Sequence, residues 1–412
     1  MFPTRRIITS GGDVFRDEYS LAFDGTNDYI DCGTGLGVSL GDNYAGSLSV
    51  SIWFKAGTTS GNDGIFYLGA FTATNDYGEF MIRLDGDNLQ FALDGIGWYR
   101  NYSFSDTTSW HHLVCIYDTS GEDASLMYVD GVSVGTKNGS FPADSAMDFA
   151  AMLTIIGAYG TQARPFHGNI SDVAVYDIAL SASQVATIYN GREPYNHKEG
   201  VASKSLVSWW RMGDGALDSF PILCDEVNPT KQDELSPNVS FDVNTTGWES
   251  YSSGDANTLS QETSITHSGA GSLKVVFGDS NAGWAARTSS EVTAVANKLI
   301  VFEGWVYIPT GSYDGGNPYI IDGGGFGGAS VESIARADAS IKDTWQFMRT
   351  ISIPVSGDVS SSVYLYTTGT DPSENDILYW DDISIYVING NAGFMYNMSL
   401  LSSYIPFEGD TP

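Results

Sequence analysis

The sequence is poor in cysteine and has neither a long apolar segment nor an apolar leader. Its three cysteines, Cys32, Cys115 and Cys224, cannot all pair within one chain, so no disulfide framework is predicted. No run of residues reaches the length of a membrane-spanning helix, and the first ten residues contain two arginines without the apolar core of a signal peptide. We therefore expect a protein that is made in a cytoplasm and is not inserted into a membrane.

Positive charge is also scarce in this chain. There are 19 Lys and Arg residues against 50 Asp and Glu residues, which gives a formal net charge of −31 at pH 7. A surface of this kind repels phosphate backbones and anionic membranes, which argues against nucleic-acid binding. The acidity favours solubility, and some of the carboxylates are candidates for calcium ligands.

Glycine and tyrosine are abundant, at 47 and 23 residues. They accompany short apolar runs separated by turn residues, a pattern typical of strands rather than helices. Asp-Gly steps at 85–86 and 130–131 lie between apolar runs and predict hairpins, and one helix is predicted at 179–189. At 412 residues the chain is too long for one core. We predict an all-β protein of two tandem antiparallel jelly-roll β-sandwiches, with a short helix near the end of the first.

The domain boundaries follow from changes in composition along the chain. Residues 1–18 form a polar N-terminal segment, and residues 19–215 form the first sandwich. Residues 216–235 are predicted to be a linker, because the stretch from Asp225 to Pro237 is polar and contains Pro229 and Pro237. The second sandwich spans residues 236–390, and residues 391–412 form a tail of loop composition with apolar islands that we expect to dock on a neighbouring surface.

Both units contain recognisable sequence motifs. Those of the first unit are LAFDGTNDYI (21–30), LSVSIWFK (48–55), WHHLVCIYD (110–118) with LMYVDG (126–131), and FHGNISDVAVY (166–176). On these motifs, the first unit resembles the concanavalin A-like, laminin-G-like lectin domains over about residues 18–195. The motifs of the second unit include THSGAGSLKV (266–275), WQF (345–347) and LYWDDISI (378–385). On these, it resembles the CenC-like, family 4/9 carbohydrate-binding jelly rolls over about residues 236–390.

The resemblance to jelly rolls implies a structural calcium ion that ties the first strand of a sandwich to its last. In the second unit the matching carboxylates are Asp242 near the start and Asp381 or Asp382 near the end. A change in the apolar alternation there predicts a β-bulge at Asp381-Asp382. In the first unit the corresponding residues are Asp24 and Asp172. Each of these carboxylates could instead be a turn residue or an acceptor of backbone N–H groups.

Sugar binding requires exposed aromatic rings that stack on pyranose faces. The second unit offers four candidates, and the first has three that cluster in a predicted loop. The same rings could instead pack under long turns or form subunit contacts. The seven candidates are Trp248, Trp284, Tyr313 and Tyr319 in the second unit, and Trp98, Tyr99 and Tyr102 in the first.

Catalytic motifs are missing. Retaining glycosidases on a lectin-type sandwich carry a Glu-x-Asp-x-(x)-Glu run, because every second side chain of a strand points the same way. The sequence contains no such run, no Gly-x-Ser-x-Gly and no His-Glu-x-x-His. His111 and His112 are adjacent on a predicted strand and point to opposite faces, which does not suit chelation of one ion. We predict that the protein is not an enzyme.

These features lead to a hypothesis about biological role. The leading hypothesis is a bacteriophage virion surface protein, either a capsid decoration or fibre or a tail adhesin, assembled in the host cytoplasm. Its expected partners are other virion proteins, further copies of itself, and a host or environmental polysaccharide. The alternative is a secreted or cell-surface bacterial polysaccharide-binding protein. A third possibility is a structural virion protein whose lectin-type folds bind only capsid or each other.

Overall fold

The chain forms two compact units of β-structure. Unit 1 comprises residues 1–229 and 390–412, and unit 2 comprises residues 230–389. The all-β prediction is confirmed, since antiparallel sheets dominate and helices are few. The computed structural model describes residue 17 and residues 19–406, except 71–79, 94–97, 122, 139–146, 151, 161–163, 193–194, 216–217, 219–221, 228–229, 233, 253–255, 279–282, 296–297, 323–331, 353–358, 390–392 and 399–404.

The strands are numbered here in chain order. Before unit 2 they are β1 (Tyr19–Asp24), β2 (Tyr29–Asp31), β3 (Leu48–Ala56), β4 (Asn62–Gly69), β5 (Phe80–Asp85), β6 (Asn88–Leu93), β7 (Trp98–Ser103), β8 (His111–Tyr117), β9 (Met127–Val129), β10 (Val132–Val134), β11 (Thr136–Lys137), β12 (Leu153–Ile156), β13 (His167–Tyr176), β14 (Leu206–Trp210) and β15 (Ile222–Leu223). Unit 2 contains β16 (Thr230–Lys231), β17 (Trp248–Ser250), β18 (Thr258–Glu262), β19 (Ser272–Val276), β20 (Trp284–Thr288), β21 (Val292–Ala294), β22 (Leu299–Tyr307), β23 (Asn317–Asp322), β24 (Glu332–Ala335), β25 (Trp345–Ser352), β26 (Val359–Ser361), β27 (Val363–Thr368) and β28 (Ile377–Asn389). After unit 2 follow β29 (Gly393–Tyr396) and β30 (Ile405–Pro406).

Unit 1 is built from two large sheets. One has the order β10-β9-β8-β3-β13-β1-β30, with β14 paired to β13, and the other has the order β11-β7-β6-β5-β4-β12-β2-β29-β15. Apolar side chains from both sheets meet in one core. The predicted hairpin at 130–131 joins β9 and β10. Asp130 and Gly131 there both have positive φ, 50° and 76°, as a type I′ turn requires.

Two helices accompany the strands of unit 1, α1 (Gly35–Leu40) and α2 (Ala182–Tyr189), with 3-10 turns at Asn190–Arg192 and Ser203–Ser205. The helix predicted at 179–189 is confirmed as α2. It begins with a capping box, in which the Ser181 hydroxyl accepts the Gln184 N–H and the Gln184 side chain accepts the Ser181 N–H. In the described part of the chain, no helix has the length and apolar character needed to span a membrane.

Segments predicted as linker and tail contain short strands that complete the sheets. Strand β15 pairs with β29, and β29 also pairs with β2, so residues 393–396 lie within a sheet of unit 1. Strand β16 pairs with β28 inside unit 2. Composition did not reveal these strands, because the described pairings of β15 and β16 are only two residues long. The change from unit 1 to unit 2 therefore falls at 229–230.

Unit 2 packs a six-strand path, β18-β19-β28-β22-β25-β24, and a four-stranded sheet, β17-β20-β27-β23, around a core of its own. Strand β16 joins the larger sheet beside β28, and β21 pairs with β26 separately. The predicted bulge at Asp381-Asp382 is confirmed. The register between β22 and β28 shifts between Glu303 and Trp305, and Asp382 has φ 50°. The shift leaves Asp381 fully buried.

Met395 offers a test of the role of β29. Its side chain is 2% exposed and packs in the core of unit 1. Met395→Ala leaves a cavity and is expected to cost about 2–5 kcal/mol of unit 1 stability. In scanning calorimetry the unfolding transition of unit 1 should move to lower temperature while that of unit 2 stays in place. Val243→Ala, at a side chain of unit 2 that is 80% exposed, is the control and should move neither transition. An unchanged unit 1 transition in Met395→Ala would show that β29 does not stabilise that unit.

Candidate functional site

The four-stranded sheet of unit 2 has two different faces. In β27 the side chains of Val363 and Leu365 are fully buried, whereas Tyr364 and Tyr366 are only partly buried. Because successive side chains of a strand point to opposite faces, both tyrosines lie on the outer face of the sheet. The inner face belongs to the hydrophobic core of the unit.

Neighbouring strands extend this row of rings. The register places Trp284 of β20 opposite Tyr366, and Tyr319 of β23 opposite Tyr366 on the other side. The ring centroids of Trp284 and Tyr366 are 4.6 Å apart, and those of Tyr319 and Tyr366 are 5.3 Å apart. Three strands thus contribute one ring each to a continuous cross-strand row.

Two further rings widen the row. Tyr251, just after β17, lies 5.2 Å from Trp284 and 5.0 Å from Tyr364, and Tyr364 lies 5.1 Å from Trp284. All three contacts are edge-to-face, an arrangement that aromatic quadrupoles favour by about 0.5–1.5 kcal/mol per pair. The rings therefore fix one another in place before any ligand arrives. We call this group the aromatic face; it consists of Tyr251, Trp284, Tyr319, Tyr364 and Tyr366.

The buried side chain of Asn257 is hydrogen-bonded to the backbone of residues in the aromatic face. The side-chain amide nitrogen of Asn257 lies 3.1 Å from the Tyr251 carbonyl oxygen, 2.7 Å from that of Trp284 and 2.8 Å from that of Ala285, and it donates to this group. The Asn257 side-chain oxygen accepts the Gly278 N–H at 2.9 Å. This network joins the backbones that carry two of the five rings.

Two arginines border the aromatic face. The Arg287 guanidinium carbon is 4.8 Å from the centre of the Tyr251 ring, and its Nε donates to Glu249 at 2.7 Å. That hydrogen bond raises the pKa of Arg287. At the other end, the Arg336 guanidinium carbon is 4.5 Å from the centre of the Tyr319 ring. Both distances are typical of cation–π contacts. The outer surface of this sheet thus combines apolar ring surface with hydrogen-bond donors.

Trp284 and Tyr319, two of the aromatic residues predicted from the sequence, lie on this face. Trp248 and Tyr313, both 5% exposed, do not, because their rings belong to the core cluster of unit 2. Tyr319 is only 8% exposed, but it is not part of that cluster. The indole N–H of Trp248 donates to the Asn238 carbonyl at 3.2 Å, and the Tyr313 hydroxyl donates to the Gly316 carbonyl at 2.6 Å. With their polar atoms satisfied internally, these two rings pack as core residues, which corrects the expectation that they stack on sugar.

The predicted aromatic cluster of unit 1 lies on a strand instead of a loop. Trp98, Tyr99 and Tyr102 all belong to β7, which pairs with β6 and β11. The Tyr102 side chain is partly buried and packs against the core of the unit. The side chains of Trp98 and Tyr99 lie outside the described residues.

Asp24 and Asp172, the predicted calcium pair of unit 1, are not brought together. Asp24 is exposed, and its Oδ1 accepts the Thr26 N–H at 2.7 Å, as a turn carboxylate does. The register pairs Asp24 with His167, five residues before Asp172 in β13, or roughly 16 Å away along an extended strand. The two carboxylates therefore do not share one cation.

Asp172 is instead the centre of a buried polar network. It is 2% exposed, its Oδ2 lies 3.1 Å from His197 Nε2, and its Oδ1 accepts the Trp209 indole N–H at 2.5 Å. Burial acts to raise the pKa of Asp172, but the contacts with His197, Trp209 and Arg211 lower it below its usual value. A buried carboxylate with these partners is a structural charge, since each oxygen already has a donor.

The carboxylates predicted to bind calcium in unit 2 surround one loop. Asp242 Oδ1 accepts the N–H groups of Ala270 and Gly271. Asp381 Oδ2 accepts the N–H of His267 at 2.8 Å and that of the next residue at 3.2 Å. Asp382 Oδ2 lies 2.7 Å from His267 Nδ1. The described residues contain no group of three or more His, Cys, Asp or Glu side chains that could hold a metal ion. These residues do not form a calcium cage as they stand, and calcium binding stays a prediction of the sequence.

The outer face of the larger sheet of unit 2 also carries aromatic rings, and the same loop contacts it. His267 stacks on Trp305 with ring centroids 4.0 Å apart, and Trp345 donates its indole N–H to the Thr266 carbonyl at 3.1 Å. Phe347 packs beside Trp305 at 5.3 Å. On this sheet, the loop that contains Thr266 and His267 therefore packs on the rings of Trp305 and Trp345.

Sequence reasoning missed Tyr251, Tyr364, Tyr366 and the two arginines. The available signal was in Val-Tyr-Leu-Tyr at 363–366, where aliphatic and aromatic residues alternate. Such alternation predicts one buried and one outward face. The sequence did not reveal which of these faces points away from the core of unit 2.

Asp381 makes the stability of unit 2 depend on pH. Burial raises its pKa to about 6, although the N–H groups of His267, Asp382 and Ser268 act in the opposite direction. The folded state therefore holds a proton that the unfolded state releases near pH 4, and stability falls as pH rises through about 6. Between pH 4 and 7 the Asp381 contribution to the free energy of unfolding should fall by on the order of 2 kcal/mol.

Asp381→Asn isolates this contribution, because the amide carries no charge at either pH. Urea unfolding of unit 2 at both pH values should show a weaker pH dependence in the variant than in the wild-type protein. Asp371→Asn removes an exposed carboxylate of the same unit and should leave the dependence unchanged. Equal pH dependence in wild type and Asp381→Asn would contradict the assignment.

Comparison with known proteins finds one family model that matches part of the first unit. Residues 24–186 are similar to the family described as the Concanavalin A-like lectin/glucanases superfamily. None of the curated proteins compared with the chain matches it.

Several solved structures are similar to parts of the chain. A SAP-like pentraxin from Limulus polyphemus is 17% identical, covers 43% of this chain and 84% of its own, and has a TM-score of 0.33. The CBM22-1 xylan-binding domain of Xyn10C from Paenibacillus barcinonensis is 16% identical, with coverages of 39% and 96% and a TM-score of 0.28. Domain 4 of the GH43 extracellular arabinanase AbnA from Geobacillus stearothermophilus is 23% identical, with coverages of 45% and 84% and a TM-score of 0.31.

Proposed function

We propose that this protein is a non-catalytic carbohydrate-binding protein, and that the aromatic face of unit 2 holds a polysaccharide chain. The observation that carries the proposal is the grouping of five aromatic rings from four neighbouring segments on one outer face. Pyranose rings present apolar C–H surfaces that stack on aromatic rings, while their hydroxyls take hydrogen bonds from polar groups at the margin.

The rigidity of the aromatic face supports this function. The five rings contact one another, and Asn257 ties together the backbones of Tyr251 and Trp284. A surface ordered in advance loses little conformational entropy when it binds a ligand. A face that binds a flexible polysaccharide gains affinity from this arrangement, because only the sugar chain has to be ordered.

The charges beside the aromatic face support binding without catalysis. Glu249, a carboxylate beside it, is held in an ion pair with Arg287 at 2.7 Å. A carboxylate so engaged is not poised as a general acid or a nucleophile for glycoside cleavage. The lectin-type superfamily of unit 1 accords with a protein that binds carbohydrate.

Trp284 provides the test of the site, because it contacts three of the other four rings. Trp284→Ala should weaken binding to the glycan that the wild-type protein selects from an array by at least about tenfold, since buried aromatic anchors dominate binding energy. Isothermal titration calorimetry would measure the change.

Trp345→Ala is the matched control, because Trp345 is a partly buried tryptophan on the other sheet of the same unit. It should bind the glycan as tightly as the wild-type protein does. Loss of binding in Trp345→Ala with retention in Trp284→Ala would place the site on the larger sheet and refute the proposal.

We also propose that the protein is displayed on a bacteriophage virion, as a capsid decoration, fibre or tail adhesin. The tandem arrangement of glycan-binding-type domains supports this location. A secreted or cell-surface bacterial polysaccharide binder is equally compatible with the same domains. Immunogold labelling of virions purified from the source phage or lysate should show label on the particle. Protein found only free in the medium, with unlabelled particles, would favour the secreted binder.

A further inference from the structure

We infer that the polysaccharide bound at the aromatic face is anionic, and that Arg336 receives its carboxylate or sulfate groups. The inference rests on the proposed function and goes beyond it by naming the chemical class of the ligand. It comes from the position of one arginine at the edge of the rings.

Arg336 differs from the other two arginines of unit 2. Arg287 donates to Glu249 at 2.7 Å, and Arg349 donates to Glu303 at 2.7 Å. Arg336 is exposed and forms neither a hydrogen bond nor an ion pair with the described residues. In a chain with 50 acidic and 19 basic residues, carboxylate partners are plentiful. Among the described residues, its five N–H donors therefore meet no acceptor of the protein.

The backbone holds Arg336 beside the aromatic face. The next residue, Ala337, is 1% exposed and donates its N–H to the Pro318 carbonyl of β23 at 3.0 Å. Ala339 donates its N–H to the Asn317 side chain at 2.8 Å. These two bonds hold residues 337–339 against Asn317 and Pro318, the two residues of β23 that directly precede Tyr319. The guanidinium lies over Tyr319 because the backbone after Arg336 is bonded to β23, while β24, which ends directly before Arg336, pairs with β25.

The chemistry of the pair favours an anionic sugar. A guanidinium stacked on a ring presents its edge outward, and that edge matches carboxylate and sulfate oxygens in a bidentate fashion. The ring row continues from Tyr319 to Tyr366 and Trp284, so a sugar stacked there lies within reach of the same edge. The strongly negative net charge of the protein repels an anionic ligand elsewhere on the surface, which makes a local cation necessary for binding.

The experiment uses a glycan array of matched pairs with the full-length protein. One pair is homogalacturonan oligosaccharides and their methyl esters, and a second is a sulfated galactan and its desulfated form. Neutral β-glucans and xylans complete the array. The wild-type protein should prefer the anionic member of a pair by about fivefold or more. A preference within the galacturonan pair would indicate that carboxylates are recognised, and a preference within the galactan pair would indicate that sulfates are recognised.

Three variants separate charge from folding. Arg336→Gln should lose the preference for the anionic member, and Arg336→Lys should retain part of it. Lys204→Gln removes one exposed cation of unit 1 and should behave as the wild-type protein does. Thermal unfolding of all three variants should match the wild-type curve, because both positions are exposed.

The outcomes distinguish this inference from the function on which it rests. Equal binding of charged and neutral members, unchanged in Arg336→Gln but lost in Trp284→Ala, would overturn the inference and leave the proposed function standing. An anionic preference that persists in Arg336→Gln would also overturn it. If the wild-type protein binds no glycan on the array, the proposed function fails and the inference fails with it.

Discussion

The alternation of side chains along a strand is the constraint on which the candidate site depends. In β27 it sends Val363 and Leu365 into the core and Tyr364 and Tyr366 outward. Hydrogen bonding then sets neighbouring strands about 4.8 Å apart, close to the 4.6 and 5.3 Å that separate the rings of the cross-strand row. The backbone hydrogen bonds that join the strands of this sheet thus also set the distances between the rings of the aromatic face. The site therefore cannot form unless unit 2 folds.

The acidity of the chain has a structural use apart from solubility. Asp242, Asp381 and Asp382 hold the loop around His267 through N–H, hydroxyl and imidazole groups. Asp106 accepts N–H groups of its own turn, which lowers its pKa well below the usual value. Loops stabilised by carboxylates need few basic partners, which suits a sequence with little lysine and arginine. This scarcity also makes Arg336 informative, since it lies on a ring surface and has no carboxylate partner among the described residues.

Much of the fold could be predicted from the sequence, because it depends on local patterns. Turn chemistry at 130–131, the cap at Ser181 and the change of alternation at Asp381-Asp382 each have a short-range physical cause. The strands that complete unit 1 from residues after 390 could not be predicted, because their pairing partners lie hundreds of residues away.

The candidate site was less accessible to sequence reasoning. Trp248 and Tyr313 resemble loop aromatics in sequence, yet their polar atoms find internal acceptors and they join the core. Tyr364 and Tyr366 resemble ordinary strand residues, and only the register shows that they meet Trp284 and that their face is not covered by the opposite sheet.

A crystal structure of the protein with the glycan selected by the array tests the central claim most directly. The account predicts sugar density stacked on Trp284, Tyr366 and Tyr319, on the outer face of the four-stranded sheet of unit 2. Density against Trp305, Trp345 and Phe347, or density confined to unit 1 with the aromatic face bare, would contradict it.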